Sequence, residues 1–232
     1  MSTILRSATM SRAMWWCACL TWVLVSAVSH ASGTTATDPS SQLTGHVVLS
    51  AGPGQHVDAS DIPNTLVYFV PAKGRVHVKP GHFTIYTVNH DFRPAAMAIP
   101  LGSTVAFTNL DELLHNLYSA TPNSTFDFQF QASGQSISHS FTHAGLVLIG
   151  CSVHRSMELD LLVVPTPYVS QVNADGHFVL RGLPKGPGQL YFWNPRVGLV
   201  PSTVSVPAAD LTQQLVAVKP AVATELNAGQ TR

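Results

Sequence analysis

Cys151-Ser152-Val153-His154-Arg155-Ser156-Met157 places a thiol, an imidazole and a thioether within seven residues, and a second imidazole, His115, lies thirty-six residues upstream. Two imidazoles and a thiolate in one plane, with a weak axial thioether, suit a copper ion that changes oxidation state. The sulfur donors satisfy Cu(I) and the nitrogens satisfy Cu(II). Zinc fits less well, because a thioether is a weak zinc ligand and structural zinc sites take further thiolates or imidazoles. The expected cofactor is therefore copper in one mononuclear type 1 site, with His115, Cys151, His154 and Met157 as ligands. Each residue also has a plainer reading on its own. A lone histidine can sit at the surface or in a satisfied core, a lone cysteine can simply be buried, and methionine often fills gaps.

Those donors need rigid elements to hold them, and the chain reads as strands. Gly45–Leu49 and Asn64–Val70 are separated by a turn-rich Ala51-Gly52-Pro53-Gly54, and a basic link, Pro71 to Gly81, follows. Phe83–Val88, Ala96–Ile99, Thr104–Phe107, Asn116–Ser119, Ser136–Phe141, Gly145–Gly150 and Glu158–Val164 come next. Short strands at such spacing predict a sandwich or barrel. The continuous apolar run Gly145–Gly150 reads as a strand buried on both faces. After Pro165-Thr166-Pro167, further strands are expected at Tyr168–Val172, His177–Leu180 (paired through an Asp175-Gly176 hairpin turn), Gln189–Trp193, Thr203–Val206 and Gln213–Val218. His139 and His143 read as a solvated strand edge, His77, His82 and His90 as exposed, and Asp111-Glu112 as an acidic turn whose carboxylates diverge. Asn123-Ser124-Thr125 satisfies the glycosylation pattern, relevant only in a eukaryotic secretory host.

The start of the chain reads differently. Arg6 and Arg12 precede an apolar run, Ala13 to Val28, and Ser29-His30-Ala31 offers a small-residue cleavage site. This is the layout of a signal peptide over residues 1–31; an uncleaved anchor is the alternative, although about twenty apolar residues are needed to span a bilayer. Cleavage would remove Cys17 and Cys19 and leave Cys151 as the one thiol, unable to form an internal disulfide. It would also remove two of the 12 basic residues and none of the 12 acidic ones, for a net charge of −2. With charged residues at 10%, this balance gives no reason to expect nucleic acid as partner. Stable membrane insertion is not expected after cleavage, and the expected location is periplasmic or secreted.

Gly145-Leu-Val-Leu-Ile-Gly-Cys151 and the Cys-x2-His-x2-Met loop resemble the blue-copper cupredoxins, with a loop spacing similar to amicyanin rather than plastocyanin or azurin. Asn109-Leu110-Asp111 followed by His115-Asn116 resembles the segment holding that family's first histidine, and the resemblance implies that Asn116 helps fix the copper loop. The wider chain resembles longer bacterial proteins often labelled methylamine-utilisation or plastocyanin-like, which add a carboxypeptidase-regulatory-like, transthyretin-like fold. Tyr168, Asp175-x-x-Phe178 and Leu183-Pro184-x-Gly186 are similar to the second half of that fold, and Gly45-x-Val47 with Leu66–Val70 to its first strands. The chain departs from the pattern at Asn194, where a histidine usually follows Trp193, and at Arg155-Ser156, which replaces an acidic-aromatic pair.

The resulting expectation is an all-β chain: a Greek-key cupredoxin sandwich with a second small β-sandwich, discontinuous around it if both resemblances hold. The segments are a leader (32–43), the transthyretin-like sandwich (44–80 and 166–220), the copper domain (82–165) and a tail (221–232). The expected function is single-electron carriage between redox protein partners; the alternative is a copper carrier, storage or sensing module. An enzyme is not expected. Multicopper oxidases and copper nitrite reductases wire further histidines to the blue centre, commonly as His-Cys-His, whereas Gly150 precedes Cys151 and no His-x-His pair occurs.

Overall fold

The computed structural model describes residues 41–219. The expected signal peptide, most of the expected leader and the expected tail lie outside the described residues. Among the described residues no helix is long and apolar enough to cross a membrane.

The fold is all-β. In chain order the strands are β1 (Leu43–Ala51), β2 (Leu66–Pro71), β3 (His82–Val88), β4 (Asp91–Arg93), β5 (Ala96–Pro100), β6 (Thr104–Asn109), β7 (His115–Ser119) and β8 (Phe126–Gln131). They continue as β9 (Ser136–Ser140), β10 (Gly145–Cys151), β11 (Glu158–Val164), β12 (Val169–Gln171), β13 (His177–Leu180), β14 (Gly186–Asn194), β15 (Gly198–Val206) and β16 (Ala208–Ala217). One short 3-10 helix, Ala59–Asn64, leads into β2.

Two sandwiches result. The inner one packs a five-stranded sheet, β5-β11-β10-β7-β8, on a four-stranded sheet, β4-β3-β6-β9. Successive strands repeatedly change sheet, as from β5 to β6, β6 to β7 and β8 to β9, which makes it a Greek-key, cupredoxin-like sandwich. Its core holds Ile85, Phe92, Phe107, Leu117, Phe141, Val147, Ile149 and Leu161. The outer sandwich packs β13-β1-β16 on β12-β2-β14-β15, so it is built from chain on both sides of the inner one. Its core includes Leu43, Val47, Val67, Phe69, Phe178, Leu190 and Phe192. Alternation in β1 turns Leu43, Gly45, Val47 and Leu49 inward. A Cβ at Gly45 would collide with the Leu211 carbonyl and the Phe178 ring, so only glycine lets β16 and Phe178 close over it.

A third apolar cluster joins the two. Leu66, Tyr68 and Trp193 from the outer sandwich meet Ala96, Leu162 and Val164 from the inner one. The β2-β14 sheet is thus covered on both faces, with Val67 and Phe69 facing its own core and Leu66 and Tyr68 facing the neighbour. Tyr68 stacks on Tyr191 with centroids 4.7 Å apart, and burial pushes its phenol up to about 12, with Tyr191 adding to the effect. This corrects the reading of Gly145–Gly150. Two-sided burial belongs to β2, whereas β10 leaves Leu148 57% exposed on its outer face. An apolar run cannot by itself say which sheet will be covered twice.

Candidate metal centre

The antiparallel pairing of β7 with β10 sets Cys151 opposite Leu117 and Gly150 opposite Tyr118. The start of β7, which carries His115, therefore lies beside the end of β10, which carries Cys151. The loop after β10 folds back through Met157 N–H donating to the His154 carbonyl at 3.0 Å, bringing His154 to the same end. Among the described residues, His115, Cys151 and His154 form the group of three or more histidine, cysteine or acidic side chains close enough to share a metal.

The distances are specific. Cys151 Sγ lies 3.6 Å from His115 Nδ1 and 4.0 Å from His154 Nδ1, and the two Nδ1 atoms are 3.1 Å apart. A triangle with those sides has its centre about 2.1 Å from every corner, within the roughly 2.0–2.3 Å of metal–nitrogen and metal–sulfur bonds tabulated for zinc. The donor set, one thiolate and two imidazoles, matches a type 1 copper site. Met157 is fully buried in the apolar cluster that includes Cys151.

The next layer fixes which atoms face the centre. His115 is completely buried, and its Nε2 donates to Asp111 Oδ2 at 2.9 Å. A carboxylate can only accept, so the proton sits on Nε2 and the Nδ1 lone pair faces Cys151 and His154. Burial pulls the His115 pKa down against the pull of Asp111, which favours the neutral form a metal ligand needs. Asp111 also accepts the backbone N–H groups of Asn89 (2.6 Å) and His90 (3.0 Å). Burial alone would raise its pKa, but these bonds and His115 hold it below the usual carboxylate range. The turn between β3 and β4 is thereby pinned to the centre, with the His90 ring centroid 4.9 Å from that of His154.

Asn116 acts through its backbone. Its carbonyl accepts the Ser152 N–H at 3.0 Å, tying the loop after Cys151 to β7, while its side chain donates to Asp127 at 2.8 Å. His90 and Gln131 were not legible as part of this neighbourhood, and Asp111 was legible only as part of the segment leading to His115, not as its hydrogen-bond partner. Asp111 had one available signal, its position four residues before His115. Gln131 pairs directly across from His115 in β8, is fully buried, and its side-chain amide has no partner among the described residues. His139 lies on the edge strand β9 but is half-buried rather than solvated: its ring packs on Phe126 and Phe141 at 4.8 and 5.0 Å, and burial lowers its pKa. His143 stands apart from it, beside the Thr142 hydroxyl at 3.2 Å.

No protein-family model matches the chain, and no curated protein does. Among solved structures it is similar to a purple cupredoxin from Nitrosopumilus maritimus, at 25% identity over 35% of this chain and 98% of that one, with a TM-score of 0.32. It is also similar to an oxidised amicyanin variant, at 17% identity over 36% of this chain and 82% of that one, with a TM-score of 0.34. A third likeness is to a copper-containing nitrite reductase from Thermus scotoductus, at 22% identity over 51% of this chain but only 28% of that one, with a TM-score of 0.34.

That third match corrects the expectation that the chain is no enzyme and that nitrite reductase can be set aside. The lack of a histidine beside Cys151 is too weak a criterion for the exclusion, because a fold of this kind does not fix what the sites grafted on it do. The donor triangle stands independently of all three likenesses.

Proposed function

We propose that His115, Cys151, His154 and Met157 hold one copper ion, and that the protein carries single electrons between redox proteins outside the cytoplasm. The observation that carries this reading is the donor triangle, already spaced for one common metal. Bound copper would supply a one-electron couple. The chain supplies rigidity: Asp111 orients His115, the Asn116 carbonyl holds the loop through Ser152, and β7 and β10 fix the ends. Ligands held this firmly need little rearrangement when the charge at the centre changes. His154 is the partly exposed member of the set, which makes its edge the route to the surface. Leu114 and Val153, each directly before a ligand histidine, are 52% and 46% exposed. They give that end an apolar rim suited to brief contact with a redox protein. The secretion-like start of the chain supports a periplasmic location.

Protein-film voltammetry of the copper-loaded chain, followed by challenge of the reduced form with a Cu(I) chelator, tests the relay. The expected result is a reversible one-electron wave with the metal retained on reduction. Rapid loss of copper to the chelator on reduction would overturn it in favour of copper carriage.

A further inference from the structure

Far from the cysteine in sequence, a second pair of imidazoles faces outward from the outer sandwich. In the antiparallel pairing of β1 with β13, His46 and His177 are directly opposite each other, so their side chains leave the same face of the sheet. The inward residues on either side, Gly45, Val47 and Phe178, fill the core, which sends both histidines to solvent. Their ring centroids are 4.8 Å apart at an interplanar angle of 63°. The separation equals that of His115 and His154 in the candidate copper centre, also 4.8 Å.

Two local features prepare His46 as a ligand. Its Nε2 lies 2.9 Å from the Asp175 backbone carbonyl. A carbonyl accepts only, so Nε2 carries the proton and Nδ1 keeps its lone pair, the orienting contact metal-bound histidines commonly make. Gly176 then leaves room for the ring: a Cβ there would come within 2.6 Å of His46 Nε2, and φ is +85°. His177 is exposed. Both line a groove of about 380 Å³ with Thr44, Asp210 and Thr212, open enough for water to complete a coordination sphere.

We propose that His46 and His177 form a second metal site, a two-imidazole surface chelate for a borderline divalent ion such as Cu(II), Ni(II) or Zn(II). It is independent of the cysteine centre, and its occupancy does not depend on whether that centre relays electrons.

The test is a Ni(II) titration of the full chain after addition of one equivalent of Cu(II), read by calorimetry and by paramagnetic broadening of histidine resonances. The His46 and His177 signals should broaden first. His177→Gln, a change at an exposed ring, should weaken Ni(II) binding at least tenfold, while His143→Gln leaves it unchanged. Equal Ni(II) affinity in wild type and His177→Gln, or first broadening at other histidines, would overturn the site. A missing charge-transfer band after the Cu(II) addition would count against the cysteine centre alone, and the Ni(II) titration is then read without prior Cu(II), which would otherwise occupy the β1–β13 pair.

Discussion

Two clusters of buried polar side chains, one in each sandwich, are built in opposite ways. In the outer one, Arg196 is 5% exposed, and its guanidinium donates to the Asp61 carboxylate (2.8 Å), the His56 carbonyl (2.6 Å) and the Lys219 carbonyl (2.8 Å). Asn194 donates to the Asp61 carbonyl and the Thr65 hydroxyl and accepts the Arg196 N–H. The network closes on itself, as buried polar groups must to avoid a desolvation penalty. At the candidate metal centre of the inner sandwich the buried donors converge without closing. Two imidazole nitrogens face each other at 3.1 Å beside a thiol, and Asn116 Oδ1 and the Gln131 amide lack partners among the described residues. Satisfied polar burial fastens a fold, whereas convergent lone pairs await a cation.

The largest effect should come from breaking the closed network. Arg196→Met leaves the Asp61 carboxylate with the Asp58 N–H as a partner but no cation, and should cost about 3 kcal/mol of stability by denaturant unfolding. The copper spectrum of the folded fraction should not change; a changed spectrum would mean that the two regions are not separable. Asp111→Ala attacks the convergent region instead. Freeing the His115 ring should weaken copper binding about 10- to 100-fold in a competition assay, with much less effect on unfolding of the outer sandwich.

Asp160 offers a gain. Burial, helped by the nearby Glu158 and opposed by Lys219, pushes its carboxyl up to about 6. The folded chain therefore holds that proton more tightly than the unfolded chain, and stability falls as pH rises from about 4 to 6. Asp160→Asn should add about 1–2 kcal/mol at neutral pH, after discounting for partial exposure, and almost nothing near pH 4. A gain independent of pH would contradict the assignment to charge burial. The smallest structural effect is expected for Met157→Leu. This nearly volume-conserving change should cost less than about 1.5 kcal/mol while shifting the reduction potential, as expected of the axial thioether proposed for Met157.

How much of this was legible in the sequence follows from which forces are local. The strand pattern of β1, β3, β7 and β11 could be read from alternation and turn residues, and the donor residues from their types and spacing. The three-residue β4 was missed because it lies on a hairpin turn, Asn89-His90, where positive φ falls on residues that do not announce it as glycine would. β8 carries a Phe-Asp-Phe-Gln-Phe alternation that the expected strands do not include. The part played by Asp111 was hidden because a carboxylate in a turn normally faces water; it faces His115 only because Asn89 and His90 come back across the chain to hold it. The role of Asn194 was likewise invisible: its partners Asp61 and Thr65 lie about 130 residues away.

The most direct test of the central claim is a visible and electron paramagnetic resonance spectrum of the full chain loaded with one equivalent of Cu(II), recorded beside Cys151→Ser. The account predicts an intense charge-transfer band with a narrow copper hyperfine splitting in the wild type, and neither in the variant. Full copper occupancy without that band, or a band that survives in Cys151→Ser, would contradict it.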